Sequence, residues 1–180
     1  MTNTQKPRFT GTLLPHQIES VEWCLNKESQ GCLLADDMGL GKTVTACHVM
    51  TSRPLKTLLV LPKAIIEQWC MELMKHTTYE YTDIIIHRGS DRFDDLYKRD
   101  LEERSIVITT YDTIFADSKK KKNLEFMNLV KPQRLICDES HRLKNPKSQC
   151  FKIFKNFIVD RCSHIPVSYT HLTLPTKRIV

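Results

Sequence analysis

Apolar residues fall along this chain in two rhythms. Short, nearly unbroken runs stand at Cys32-Leu33-Leu34-Ala35, Thr57-Leu58-Leu59-Val60-Leu61 and Arg134-Leu135-Ile136-Cys137. Runs of this length without polar alternation predict strands buried on both faces. Elsewhere apolar residues recur three and four apart, as in Ile18, Val21 and Leu25, and again in Ile65, Trp69 and Leu73. That spacing predicts helices over 15–27, with Pro15 suited to the first turn, and over 64–75. Further helices are predicted over 43–50, 92–103, 124–130 and 149–157, and further strands over 83–87 and 105–109. The stretch between 110 and 123 reads as a basic loop. Strands alternating with helices at this spacing predict an α/β domain, a parallel sheet with helices on both faces.

Composition narrows the class. A chain of 180 residues that is 41% hydrophobic and 27% charged is long enough for one ordinary domain with a substantial core, and is neither disordered nor fibrous. Its cysteines, seven in number, form no C-x-x-C pair and mostly sit inside apolar runs, so they read as reduced core thiols. No apolar segment follows Met1, and no stretch approaches the ~18 apolar residues of a membrane span. The expectation is an intracellular protein with no membrane partner. The net charge of +6 permits contact with nucleic-acid phosphates without requiring it. The run Lys119-Lys120-Lys121-Lys122 reads as an exposed loop tip, with DNA contact and nuclear targeting as the other readings.

The chemistry lies in two segments. Asp36-Asp37-Met38-Gly39-Leu40-Gly41-Lys42-Thr43 stands between a predicted strand and a predicted helix. Glycines there let backbone N–H groups point at phosphates, and the helix that follows turns its positive end toward them. Lys42 then reaches the β- and γ-phosphates and Thr43 ligates magnesium. The strict G-x-x-x-x-G-K-[ST] pattern wants glycine where Asp36 stands, so context has to decide. Strand, loop, helix, strand is the required context. The second segment, Asp138-Glu139-Ser140-His141, directly follows the last predicted strand. Ligands of open α/β sheets bind at such carboxyl ends. Asp138 there is suited to hold Mg2+ through water, and Glu139 to orient and deprotonate the water that attacks ATP.

These residues resemble the Swi/Snf-type ATPases of helicase superfamily two, over roughly residues 12–162. The family's phosphate loop reads D-E-M-G-L-G-K-T, which accounts for Asp36 and leaves Asp37 as a charge-keeping difference. Leu14-Pro15-His16-Gln17 followed by Trp23 is similar to its N-terminal motif, and the resemblance implies that Gln17 recognises adenine. Leu59-Val60-Leu61-Pro62 with Gln68-Trp69, and Ile108-Thr109-Thr110-Tyr111, look like motifs that touch the DNA backbone, which brings in Pro62, Lys63, Thr109 and Thr110. Asp138-Glu139-Ser140-His141-Arg142-Leu143-Lys144-Asn145 resembles the family signature that separates these motors from RNA helicases. Arg142, Lys144 and Asn145 are its candidate phosphate contacts, and His141 in the family couples the nucleotide site to the rest of the motor. Trp69 reads as a core anchor.

The resemblance implies a P-loop NTPase fold, the RecA-like parallel sheet. It implies a DNA-dependent ATPase that translocates on double-stranded DNA, nucleosomes among its targets, acting in the nucleus in a eukaryote. A strand-separating helicase, or a nucleotide- or DNA-binding module without turnover, remain alternatives. Residues 1–11 read as an extension and 12–165 as the first RecA-like lobe. Residues 166–180 resemble a translated sequencing adapter and read as a non-native tail. On this reading the lobe is incomplete: the strand carrying T-G-T-P and the second RecA-like lobe are missing. The slot between the phosphate-loop strand and the acidic-motif strand is then expected empty or imperfectly filled, and the chain is expected to hydrolyse ATP hardly at all alone.

Overall fold

Proline loses nothing in the first turn of a helix, where its missing N–H has no partner to serve, and the first helix, α1 (Pro15–Lys27), opens on Pro15. Its buried face is Gln17, Val21 and Cys24. Ile18, expected on that face, is 47% exposed, because the inward position beside it is taken by a glutamine bonded to a neighbouring loop. The chain continues through β1 (Cys32–Leu34), α2 (Lys42–Ser52), β2 (Thr57–Leu61), α3 (Ile66–His76), β3 (Ile84–His87), α4 (Asp95–Glu103) and β4 (Ile106–Thr110). It ends with α5 (Tyr111–Lys119), α6 (Asn123–Val130), β5 (Arg134–Asp138), α7 (Gln149–Phe157) and β6 (Val167–Tyr169). The computed structural model describes residues 6–27, 32–34, 39–89, 95–119, 122–139, 143, 145–157 and 167–169.

The predicted strands and most predicted helices form within a few residues of the expected bounds. The exception is α5, which replaces most of the expected basic loop. Its signal was local: Thr110 Oγ1 accepts the N–H of Thr113 at 3.0 Å, the bond of a helix N-cap. The buried positions Tyr111, Ile114 and Asp117 then repeat at helical spacing, with one of the three polar. Asp117 is bonded to His87 Nε2 at 3.1 Å, both 1% exposed.

The six strands lie in the order β1-β6-β5-β2-β4-β3, and every neighbouring pair is parallel. Leu59 in β2 aligns with Ile136 on one side and Ile108 on the other. Successive residues of these central strands enter opposite cores. Leu59, Leu61, Ile106, Ile108 and Ile136 face the cluster that holds Val21, Cys47, Met50, Trp69 and Leu73 of α1, α2 and α3. Leu58, Val60, Val107, Leu135 and Cys137 face Leu101, Ile114, Phe126 and Phe154 of α4 to α7. Burial on both faces explains why the strands read as continuous apolar runs.

The slot expected to be empty or imperfectly filled holds a strand of three residues. Val167–Tyr169 lies between β1 and β5, aligning Val167 with Cys32 and Tyr169 with both Leu34 and Asp138. This is the imperfect filling, and its physical basis is that parallel pairing asks for backbone N–H and C=O groups rather than a particular set of side chains. Cys24, Cys47, Cys70 and Cys137 are buried free thiols, as composition suggested. Among the described residues no helix is long and apolar enough to cross a membrane.

Candidate nucleotide site

A parallel sheet places the ends of all its strands on one edge, and two of those ends carry the candidate chemistry. The turn after β1 closes onto α2 through Gly39 and Gly41, with φ of 83° and 77°. Both lie in the left-handed region that side chains avoid. The start of α2 has no side-chain cap; its first helical bond runs from Thr45 N to the Gly41 carbonyl at 3.0 Å. The N–H groups of Lys42, Thr43 and Val44 therefore have no acceptor within the helix and sit where an anion is favoured. Lys42 is mostly buried and Thr43 half-buried.

Gln17 holds this turn from the side. Its Nε2 donates to the Leu40 carbonyl at 3.1 Å, while its Oε1 accepts the Leu14 N–H at 2.9 Å. The His16 Nε2 stands 3.2 Å from the same Leu40 carbonyl, which can only accept, so this nitrogen carries the proton. A Cβ at Gly41 would lie 2.3 Å from Gln17 Nε2. Glycine is favoured there by its backbone angle, and a side chain would also have to displace the Gln17 amide from its bond to Leu40. An amide has two donors and two lone pairs, so one N–H and one lone pair of Gln17 remain beyond these two bonds for a base edge.

The acidic pair sits at the end of β5. Two strand spacings, roughly 10 Å, separate β5 from β1 across β6. Asp138 Oδ1 accepts the N–H of Glu139 at 2.8 Å, and Oδ2 accepts the indole N–H of Trp69 at 2.9 Å. Tyr111 donates its hydroxyl to the Asp138 carbonyl at 2.9 Å. Glu139 has φ 54°, a conformation that costs a non-glycine residue about 1 kcal/mol or more and persists only where surrounding contacts impose it. Its own N–H is bonded to the Asp138 carboxylate, and Trp69 and Tyr111 hold Asp138 in turn. Reading the sequence missed both roles, and Trp69 in particular, since a core anchor and a carboxylate partner look alike until the fold brings α3 to β5.

Hard oxygen donors are what Mg2+ takes, typically one or two from protein with the rest from phosphate and water. The Thr43 hydroxyl and the Asp138 carboxylate fit that donor set. Among the described residues no group of three or more His, Cys, Asp or Glu is placed to hold a metal ion.

Other expected contacts divide. Pro62 and Lys63 stand at the carboxyl end of β2 with Lys63 exposed, and Asn145 is exposed after β5. Thr109 and Thr110 are not available as a surface: both are buried. Thr109 Oγ1 donates to the His87 carbonyl at 3.0 Å, and Thr110 caps α5. A strand end that turns straight into a helix draws both hydroxyls inward. Asp36, Asp37, Met38, His141, Arg142 and Lys144 lie outside the described residues, as do Lys120 and Lys121 of the lysine run.

A family model described as the SNF2-related domain matches residues 16–162. Among similar proteins, an uncharacterized ATP-dependent helicase of Schizosaccharomyces pombe is 31% identical over 159 residues, covering 74% of this chain and 15% of that protein. The DNA repair protein rhp54 of the same yeast is 26% identical over 183 residues, covering 86% of this chain and 21% of its own length. The ISWI chromatin-remodeling complex ATPase ISW2 of Saccharomyces cerevisiae is 27% identical over 166 residues, covering 86% of this chain and 14% of that protein. The chain therefore spans about a fifth or less of each of these relatives.

Proposed function

The chain belongs to the SNF2-related domain family, and from that premise we propose that it is the ATP-binding lobe of a DNA-dependent ATPase that moves along double-stranded DNA. The observation that carries this is the shared edge: the left-handed glycine turn capping α2 and the Asp138-Glu139 pair ending β5 face the same side of one parallel sheet.

The backbone N–H groups at the start of α2 and the ammonium of Lys42 bind the phosphates and orient the γ-phosphorus. Gln17 offers its remaining donor and acceptor to adenine. Thr43 and Asp138 are the residues that would hold Mg2+, which when bound neutralises charge on the β- and γ-oxygens. Glu139 takes the proton of the attacking water as its oxygen bonds to the γ-phosphorus and the bond to the β-bridging oxygen breaks. The resemblance noted from the sequence supplies the remaining part, a second RecA-like lobe that closes on this edge. Pro62, Lys63, Arg142, Lys144 and Asn145 are proposed to meet DNA phosphates, which position a protein without reading sequence. Nucleosomes are a proposed target because one relative is named as a chromatin-remodeling ATPase, and a nuclear site of action follows for a eukaryotic source.

The test is phosphate release by the complete protein with and without duplex DNA. The expected result is stimulation by duplex and loss of turnover in Lys42→Ala; equal release with and without DNA would sink the motor reading. A strand-separating helicase is the second reading, favoured by the relative named as a helicase, and displacement of one strand from a short duplex distinguishes it.

A further inference from the structure

Asp138 is the residue to which the proposed function assigns the metal, and the inference below rests on that assignment. Its carboxylate is tied at both oxygens. Oδ1 accepts from the backbone of Glu139, and Oδ2 from the indole of Trp69. Rotation of the carboxylate breaks both bonds together. Each oxygen accepts two hydrogen bonds in full, so one lone pair on each stays open in a direction the two donors determine. The two donors are not equivalent. The Glu139 N–H belongs to the same turn and moves with it, whereas Trp69 is 2% exposed in the core beside Ile66 and Leu73, on a helix 69 residues away in sequence.

A buried indole needs an acceptor for its N–H, and a backbone carbonyl would satisfy that need. Its use of the Asp138 carboxylate instead delivers the rigidity of the α3 core to the atoms that would face the cation. Tyr111 repeats the device from the other core, where it is 2% exposed, by fixing the carbonyl of the same residue. We propose that Trp69, assisted by Tyr111, is a positioning residue that pre-aims the Asp138 carboxylate for Mg2+. It touches neither nucleotide nor cation. Groups that orient a metal ligand from behind typically account for about 10- to 100-fold in metal affinity.

The experiment is calorimetric titration of this chain with ATP in magnesium and, separately, in EDTA. The unaltered chain is expected to bind ATP more tightly with magnesium. Trp69→Phe keeps the ring and removes the donor; it is expected to bind ATP in EDTA as the unaltered chain does, and to lose about tenfold of the gain from magnesium. Tyr111→Phe is expected to lose less. A purely structural tryptophan predicts an unchanged ratio of the two affinities, and that result overturns the proposal. Should Trp69→Phe not fold, Trp23→Phe leaves one indole of the two in the chain. The remaining indole N–H resonance, that of Trp69, is then expected to shift when magnesium is added to the ATP-bound chain; a resonance that stays in place also overturns it. Tight ATP binding with no gain from magnesium in the unaltered chain would remove the metal role of Asp138 itself. Absence of ATP binding, equal to that of Lys42→Ala, would remove the nucleotide reading and this inference with it.

Discussion

The Nε2 of Gln17 donates to the Leu40 carbonyl at 3.1 Å, and the room it occupies is the room a side chain at Gly41 would need, 2.3 Å from that same nitrogen. The Gln17 amide near the start of α1 and a side chain at the start of α2 thus compete for one space. Gly41→Ala adds a clash to a left-handed backbone that already costs an alanine roughly 1–2 kcal/mol. The expected outcome is a fall in thermal midpoint and at least a tenfold loss of ATP affinity. Adding Gln17→Ala removes the clash but not the backbone cost, so the double variant should recover part of the stability. A double-mutant cycle on urea midpoints measures that part, and strict additivity would contradict the contact.

Glu139 separates stability from function. Its φ of 54° is one that glycine adopts freely, so Glu139→Gly is expected to leave the chain as stable as before or more stable by about 0.5–1 kcal/mol. Phosphate release by the complete protein is expected to fall by about 10²-fold or more, the usual share of a general base. Glu139→Gln keeps the backbone cost and loses the same activity. Chemical denaturation of this chain beside phosphate release by the complete protein reads both effects, and a destabilised Glu139→Gly would show that the turn is not strained.

Alkaline pH should loosen the core beneath the site. Burial, aided by the charge of Glu72, pushes the Cys47 thiol from 9.0 up to about 12. Burial likewise pushes the Tyr79 phenol from 10.0 up to about 12, against the opposing charge of Arg134. Both folded values are raised, so above pH 9 the unfolded chain releases protons that the folded chain keeps. The stability these groups confer is complete below their unfolded values and is lost as pH rises toward 12. Urea midpoints are expected to fall across that window, and Cys47→Ala to flatten the fall relative to its own value at pH 9.0.

Removing residues 166–180 deletes β6, which pairs with both β1 and β5. Backbone groups on two strands then lose their partners, and the spacing between the glycine turn and Asp138 loses its support. The shortened chain is expected to melt earlier and to bind magnesium–ATP more weakly. Unchanged melting and binding would show that these three residues do not brace the site. The proposed adapter origin of the tail is a separate question, answered by the nucleotide sequence that encodes it.

Local chemistry made much of this protein legible before any fold was known. The apolar runs at 57–61 and 134–137 marked central strands because those strands are buried on both faces and need no polar alternation. The tight turn at Gly39 and Gly41 was readable because it rests on backbone angles that only glycine takes easily. Helix α7 was found at its observed bounds from its amphipathic spacing. Helix α5 escaped because its buried face includes Asp117, a carboxylate whose partner, His87, lies on a different strand.

What the sequence by itself determined, then, are most of the elements and the family, since each is written in residues near one another along the chain. Only the tertiary structure decided which side chains hold the site: Trp69 on Asp138 across 69 positions, Tyr111 on the same residue across 27, and Gln17 on Leu40 across 23. It also turned Thr109 and Thr110 inward and put 167–169 between β1 and β5. The reason is that a hydrogen-bond partner is chosen by proximity in the folded core. Tryptophan, tyrosine and threonine each serve equally well as core, ligand or clamp until packing brings an acceptor within reach.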